Sequence, residues 1–208
     1  MRIPRAAFLG VALLVGLTTS AVAQDRSWQN KWYWGTQGGI QTFALGGGKV
    51  AATAGGHWFI TAGRSALYVA FDQQFMQNLT QTIQTGQTAS FERGQRFQAT
   101  VYAVPSDNKL QVMLGGGFAI SRITDAQLDT TVPTSVLDGR QLDDAATKAF
   151  LILSGALQYR AGLRWAIFGQ YQYMPGSNDY VIRSAQHTFN LGLRYAVTHS
   201  EEVVTTER

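Results

Sequence analysis

The chain has 208 residues, no cysteine, 17 basic against 13 acidic residues, and a formal net charge of +4 at pH 7. Without cysteine there is no disulfide framework and no thiolate zinc site, and we expect no bound metal or cofactor. No basic run of five or more residues occurs, so we expect no nucleic-acid partner. Beyond residue 23 there is no run of 18 apolar residues, which argues against a membrane-spanning helix.

The N-terminus carries the pattern of a secretory signal. Arg2 and Arg5 precede an apolar run over residues 6–17, and Ala21-Val22-Ala23 supplies the small residues of a cleavage site. This pattern predicts a signal peptide over residues 1–23 that is removed after export. With Arg2 and Arg5 gone, 15 basic residues face 13 acidic ones, so the mature chain is only weakly basic.

Eight segments then alternate apolar and polar residues with the period of two that is typical of β-strands. They cover residues 32–44, 49–61, 65–76, 91–104, 109–121, 149–159, 164–174 and 186–197. Each is close to the ~9–11 residues that a tilted strand needs to cross a bilayer. We therefore predict an all-β fold, an eight-stranded antiparallel up-and-down transmembrane β-barrel, over residues 24–197. Residues 198–208 are predicted to form a short periplasmic C-terminal tail.

The connections between these segments alternate in length. Tight turns are predicted at 62–64, 105–108 and 160–163. Long loops are predicted at 77–90, 122–148 and 175–185, and the short connection 45–48 belongs to the same side as these loops. Bacterial barrels have short periplasmic turns and long extracellular loops, so both chain ends are predicted to lie on the periplasmic side.

One face of the predicted sheet is apolar and carries no charge at membrane depth, where Arg or Lys would cost roughly 2–4 kcal/mol. The other face is rich in Gln and Thr. A soluble, lipocalin-like barrel would place the apolar face inside, and composition alone permits that alternative. The predicted signal, the loop asymmetry and the aromatic residues favour the membrane barrel.

Aromatic residues concentrate at the two ends of the outward face. Because indole and phenol rings are amphipathic, such belts are typical of membrane interfaces. The predicted periplasmic girdle is Trp32, Trp34, Trp58, Trp165 and Tyr195, with Trp28 just before the barrel. The predicted extracellular girdle is Phe75, Tyr171, Tyr173 and Phe189.

The lumen-facing positions include one acidic and one basic residue at similar heights on adjacent strands. Asp72 and Arg96 are predicted to form a lumen ion pair, since a buried carboxylate without a partner is costly. Glu92 could compete for Arg96 from a higher position. A proton or ion relay is the alternative role of the pair. Arg164 and Arg194 have no predicted acidic partner.

The first and last strands resemble those of a known family. The motif Trp32-Tyr33-x-Gly35-x-x-x-Gly39 and the segment 187–195, His-Thr-Phe-Asn-Leu-Gly-Leu-Arg-Tyr, are similar to the small eight-stranded outer-membrane barrels related to outer-membrane protein A. The resemblance implies insertion by the barrel-assembly machinery and a role in envelope integrity, adhesion or host and ligand contact. The tail 198–208 departs from the usual terminal aromatic assembly signal.

We therefore expect a non-enzymatic, monomeric outer-membrane protein that contacts outer-membrane lipid and lipopolysaccharide. Loops 77–90 and 122–148 are the predicted surfaces for an extracellular protein partner. Residues 77–90 either extend the third and fourth strands into an exposed hairpin whose edges could pair with a partner's strand, or form a mobile polar loop. Two alternatives remain open. One is a lipid A-modifying enzyme that uses His187, although Thr188-Phe189-Asn190 departs from the His-x-Ser-Asn pattern of lipid A deacylases. The other is a narrow, porin-like channel or ligand carrier.

Overall fold

The computed structural model describes residues 30–44, 49–82, 88–106, 108–124, 126–128, 146–162 and 164–197. Their strands are β1 (Trp32–Phe43), β2 (Val50–Ala62), β3 (Ser65–Thr82), β4 (Thr88–Ala103), β5 (Leu110–Ile123), β6 (Ala126–Leu128), β7 (Thr147–Arg160), β8 (Trp165–Met174) and β9 (Gln186–Ala196). No helix in these ranges is long and apolar enough to cross a membrane. The predicted signal, the tail and Trp28 lie outside the described residues.

Eight of the strands close into a barrel in chain order. Every neighbouring pair is antiparallel, from β1–β2 through β8–β9, and β9 returns to pair with β1. The short β6 is not part of the ring and pairs with the end of β4 instead. The predicted all-β, eight-stranded antiparallel barrel is confirmed.

The strands are strongly staggered around the barrel. Starting from Trp34, the paired residues followed through β2, β3, β4 and β5 lead to Leu151 on β7. In the opposite direction, through β9 and β8, they lead to Ala161, just beyond the end of β7. A ring of strands closes with such an offset only if the strands tilt away from the barrel axis.

The two faces of the barrel have opposite polarity. On the outside, Leu114, Leu151 and Leu191 are 69, 76 and 71% exposed. On the inside, glutamine and threonine side chains from every part of the ring are buried. The lipocalin-like alternative required the reverse orientation, so it is wrong. An apolar surface this continuous exceeds what soluble monomers expose.

The structure differs from the predicted segments mainly above the ring. Strands β3 and β4 continue to Thr82 and begin at Thr88, and β6 adds a third short strand beside them. A register shift between Phe75 and Leu79 marks the point where this extension begins. The extension is rich in Gln and Thr, and at its base Leu79 and Phe91 are paired and buried.

Candidate functional site

The centre of the lumen holds a buried ion pair. Asp72 and Arg96 are directly paired across β3 and β4, and Arg96 Nη2 lies 2.9 Å from Asp72 Oδ2. Both side chains are fully buried. The charges neutralise each other where water is excluded, which is the condition under which a buried pair is tolerated.

Further hydrogen bonds tie this pair to the opposite wall. Asp72 accepts hydrogen bonds from Gln37 Nε2 at 2.6 Å and from Gln98 Nε2 at 3.0 Å. Arg96 Nη1 donates to Thr188 Oγ1 at 2.9 Å. The network thus joins β1, β3, β4 and β9. Because it ties strands on opposite sides of the ring together, the network favours a structural role for the pair.

Glu92 does not enter this network, so its predicted competition for Arg96 is wrong. Glu92 and Arg93 are both exposed, whereas Phe91 is fully buried. The register shift between Phe75 and Leu79 on β3, opposite this part of β4, breaks the strict alternation. A β-bulge moves the side chains that follow it to the other face, and the sequence pattern alone does not reveal it.

A second lumen cluster, nearer the end where β9 finishes, surrounds Arg194. Its guanidinium carbon lies 3.9 Å from the centre of the Phe59 ring and 3.8 Å from that of Phe168. Arg194 Nε donates to His57 Nε2 at 3.1 Å, and Nη1 donates to Gln158 Oε1. Two aromatic faces and two neutral acceptors therefore hold a fully buried cation where the described contacts include no carboxylate.

Arg164, which the sequence grouped with Arg194, has a different environment. It is exposed, and its Nη1 donates to the hydroxyl of Tyr195 at 3.0 Å. The two arginines look alike in the sequence because both lie near the same end of adjacent strands. Only their positions relative to the barrel wall distinguish a lumen residue from an interfacial one.

The opposite mouth of the barrel is closed by an apolar plug, defined here as Tyr180, Val181 and Ile182 from the β8–β9 loop. All three are buried and pack with Phe150 and Met174, among others. The Tyr180 ring meets Phe150 edge-on at 5.0 Å between centroids. This plug was not predicted, although the run Tyr180-Val181-Ile182 within a polar loop is the sequence signal for it.

Polar contacts hold the plug loop against the rim. The Tyr180 hydroxyl lies 3.0 Å from Ser121 Oγ, and burial raises the pKa of Tyr180 to about 12. Lys148 Nζ forms a 2.8 Å ion pair with Asp179 Oδ2, and this hydrogen bond, together with the positive charge, lowers the pKa of Asp179. Asp179 is exposed, so this ion pair is screened by water.

Above the mouth, the β3–β4 hairpin extends beyond the ring. Leu79 to Thr82 pair with Thr88 to Phe91, while the ladder from β2 to β3 stops at the pair of Ala52 and Phe75. Lys49 Nζ donates to the Thr80 carbonyl at 3.2 Å and to its hydroxyl at 2.7 Å. A lysine placed on a strand edge is a common means of limiting edge-to-edge association.

The predicted periplasmic girdle residues form contacts across neighbouring strands. Trp34 and Trp58 are paired and meet edge-on at 4.7 Å, and Trp165 and Tyr195 meet at 4.8 Å. Trp32 lies beside them on β1 and is 54% exposed. The belt therefore runs over β2, β1, β9 and β8, which is one side of the barrel.

The predicted extracellular girdle lies at the other end of the same outward face. Tyr171 and Phe189 are paired with ring centroids 4.9 Å apart, and Phe75 is exposed on β3. Tyr173 packs beside His187 at 5.3 Å, and the Tyr171 hydroxyl lies 2.8 Å from His187 Nδ1. The described neighbours of His187 are thus these two tyrosines and Thr42, which is paired with it on β1 and donates to its carbonyl, and no serine or carboxylate is among them. Within the described residues, no three His, Asp or Glu side chains are grouped to hold a metal.

Comparisons with known proteins identify the fold. No protein-family model matches the chain, and no curated protein matches it in sequence. Neisserial surface protein A matches 80% of this chain and 97% of its own at 11% identity, with a TM-score of 0.55. The N-terminal β-barrel domain of OprF from Pseudomonas aeruginosa matches 81% of this chain and 98% of its own, at 11% identity and a TM-score of 0.49. The predicted resemblance to small eight-stranded outer-membrane barrels is thereby confirmed at the level of fold.

Proposed function

We propose that the protein is an integral outer-membrane barrel that acts as a closed anchor and presents its extended β3–β4 hairpin for contacts at the cell surface. The observation that carries this proposal is the orientation of the faces: large apolar side chains point outward, and polar and charged ones fill the interior. Water opposes exposure of such an apolar band, whereas a bilayer accommodates it.

The filled lumen supports an anchor over a porin-like channel. Each barrel strand contributes a buried polar or charged side chain, and the hydrogen bonds from Gln37 and to Thr188 tie the ion pair of Asp72 and Arg96 to the opposite wall. The plug residues Tyr180, Val181 and Ile182 cover one mouth. An eight-stranded barrel has an interior just wide enough for its own side chains.

The hairpin supports a role in surface contact. It is held by backbone pairing beyond the barrel ring and is widened by β6, so it offers a sheet to an extracellular partner. Strand addition to a sheet edge is a recurrent way of binding an extended polypeptide. Lys49 on the β3 edge limits self-association, which is consistent with a monomer in the membrane.

The absence of cysteine from the natural chain permits a direct test of orientation. Thr80→Cys, on the hairpin, and Asn108→Cys, in the turn before β5, each introduce a single thiol at opposite ends of the barrel. In intact cells a membrane-impermeant maleimide is expected to label the variant at position 80. It should label the variant at position 108 only after the envelope is opened.

Controls separate the parts of the proposal. In cells, the protein is expected to fractionate with the outer membrane. The purified protein is expected to show heat-modifiable gel mobility and to leave a planar bilayer non-conducting. Steady conductance would overturn the closed anchor, and recovery of the mature chain in the periplasm would overturn membrane insertion. His187→Ala should leave the lipid A profile unchanged by mass spectrometry. A changed profile would instead support an enzyme.

A further inference from the structure

A groove lies on the outward face of the barrel, between two adjacent rows of paired residues. The upper row runs from Ile40 on β1 through Phe189 and Tyr171 to Gly155 and Leu114 on β5. The lower row runs from Gly38 through Leu191 and Gly169 to Leu157 and Val112. These residues line a shallow depression of about 760 Å³ that is open to the outside of the barrel.

Glycines make this depression. Gly155 and Gly169 occupy outward positions and have no side chain. Their paired residues on the neighbouring strands are Leu114 and Leu191, whose side chains form the edges of the depression. A side chain at Gly155 would meet nothing nearer than Leu114 Cδ2 at 3.6 Å. No neighbouring backbone therefore requires a glycine at position 155. Gly55, on the inward face, differs because a Cβ there would lie 2.9 Å from the Asp72 Cα. The space in front of Gly155 is open toward the bilayer.

The groove has the length and direction of a lipid chain. It crosses five neighbouring strands, which at 4.7–4.9 Å per strand gives a length of about 19 Å. Because the strands tilt, a row perpendicular to them is itself inclined to the membrane plane. Its upper end lies beside His187. On β9, His187 is two residues from Phe189, which is paired with Ile40 on β1. Its lower end, at Val112 and Leu114, lies two to four residues from the start of β5.

The chemistry changes at the upper end. The side chains that line the lower part of the groove are apolar, whereas the hydroxyl of Tyr171 and the imidazole of His187 form a hydrogen-bonded pair at its top. Tyr173 packs beside the same imidazole. Polar donors above an inclined apolar trough match an amphiphile with a phosphate- or hydroxyl-bearing headgroup and a hydrocarbon tail.

We infer that this groove binds one acyl chain of an outer-leaflet membrane lipid in a fixed position, with the lipid headgroup at Tyr171 and His187. The inference rests on the proposed insertion into a membrane. It goes beyond that proposal because the remainder of the outward face holds lipid without preference. His187 has a binding role here and no catalytic one.

Photolabelling tests the inference. The protein is reconstituted into phosphatidylglycerol vesicles that contain a small fraction of lipid with a diazirine on one acyl chain, and labelled residues are mapped by mass spectrometry. Leu191 in the groove is expected to be labelled several-fold more than Leu153, which is 64% exposed outside it, against 71% for Leu191.

A matched pair of variants sharpens the test. Gly155→Leu fills the groove and is expected to reduce labelling of Leu191 to the level of Leu153. Gly56→Leu makes the same change at an outward glycine on β2 that does not line the groove, where the nearest atom is Gly35 O at 3.7 Å, and it should leave the preference intact.

The outcomes separate the two proposals. Equal labelling of Leu191 and Leu153 would overturn the lipid site and leave membrane insertion standing. Labelling of neither residue would overturn insertion itself. Cross-links between two copies at the groove would also overturn the lipid site, since they would identify a second chain as the occupant.

Discussion

The guanidinium of Arg194 packs over the ring of Phe168, with its central carbon 3.8 Å from the ring centre. Phe59 closes the other side at 3.9 Å. The barrel therefore buries this cation by means of aromatic faces and neutral acceptors, whereas a carboxylate pairs with Arg96 elsewhere in the lumen. The two arginines therefore contribute to the stability of the lumen by different physical means.

Replacing Asp72 by Asn removes one charge from the central pair and leaves Arg96 buried without its counter-charge. We expect a loss of about 3–5 kcal/mol in the free energy of unfolding, since breaking a buried pair exposes the full cost of the remaining ion. Urea unfolding in lipid vesicles, followed by gel mobility, measures it. The double variant with Arg96→Gln should recover a large part of the loss, and additive losses would contradict the coupling of the two residues.

Arg194→Ala is expected to cost about 2–5 kcal/mol, because it leaves a cavity between two aromatic rings and removes the donor to His57 and Gln158. Arg194→Lys should fall between the wild type and Ala, since an ammonium keeps the charge but does not stack. Arg164→Ala is the matched control and should change the stability by about 1 kcal/mol or less. Equal effects at positions 164 and 194 would contradict the lumen site.

Two neighbouring glycines on β2 should respond differently to the same substitution. A Cβ on Gly55 would lie 2.9 Å from the Asp72 Cα, whereas one on Gly56 would meet nothing nearer than the Gly35 carbonyl at 3.7 Å. We expect Gly55→Ala to prevent or greatly slow refolding into vesicles and Gly56→Ala to refold like the wild type. Normal refolding of the variant at position 55 would mean that β2 and β3 are less tightly joined than described.

The plug should lose stability at high pH. Tyr180 has its pKa raised to about 12 from 10.0, so the folded state holds the phenolic proton more tightly than the unfolded state. The stabilisation is complete below pH 10 and is lost as the pH rises toward 12, by roughly 2–3 kcal/mol in total. Alkaline titration of unfolding should show a smaller decline for Tyr180→Phe. The same decline in both proteins would contradict burial of this phenol.

Periodicity was sufficient to predict much of the fold. Alternation with a period of two separates Leu114 and Leu191 from Gln37 and Gln98, because successive side chains of a strand point to opposite faces. The pairing of Asp72 with Arg96 also followed from counting positions from a tight turn. These inferences need only local geometry and the regular spacing of a β-ladder.

Other features of the site depended on departures from that regularity. Counting fails beyond Phe75, where the register shifts, so the exposed position of Glu92 was not predictable from alternation. The plug formed by Tyr180, Val181 and Ile182 depends on a loop folding back over the mouth, and no periodicity describes a loop. The sequence analysis treated that segment only as a long connection.

The sequence by itself determined the number of strands, the polarity of the two faces and the aromatic ends of the outward face. The number follows from counting the alternating segments, and the faces follow because residues i and i+2 of a strand point to the same side. Only the tertiary structure decided what fills the barrel and what lies against its wall. Examples are the stacking of Arg194, the groove over Gly155 and the register shift between β3 and β4 near Glu92. Each depends on how neighbouring strands pack and pair. Such contacts are set by the tilt and stagger with which the ring closes.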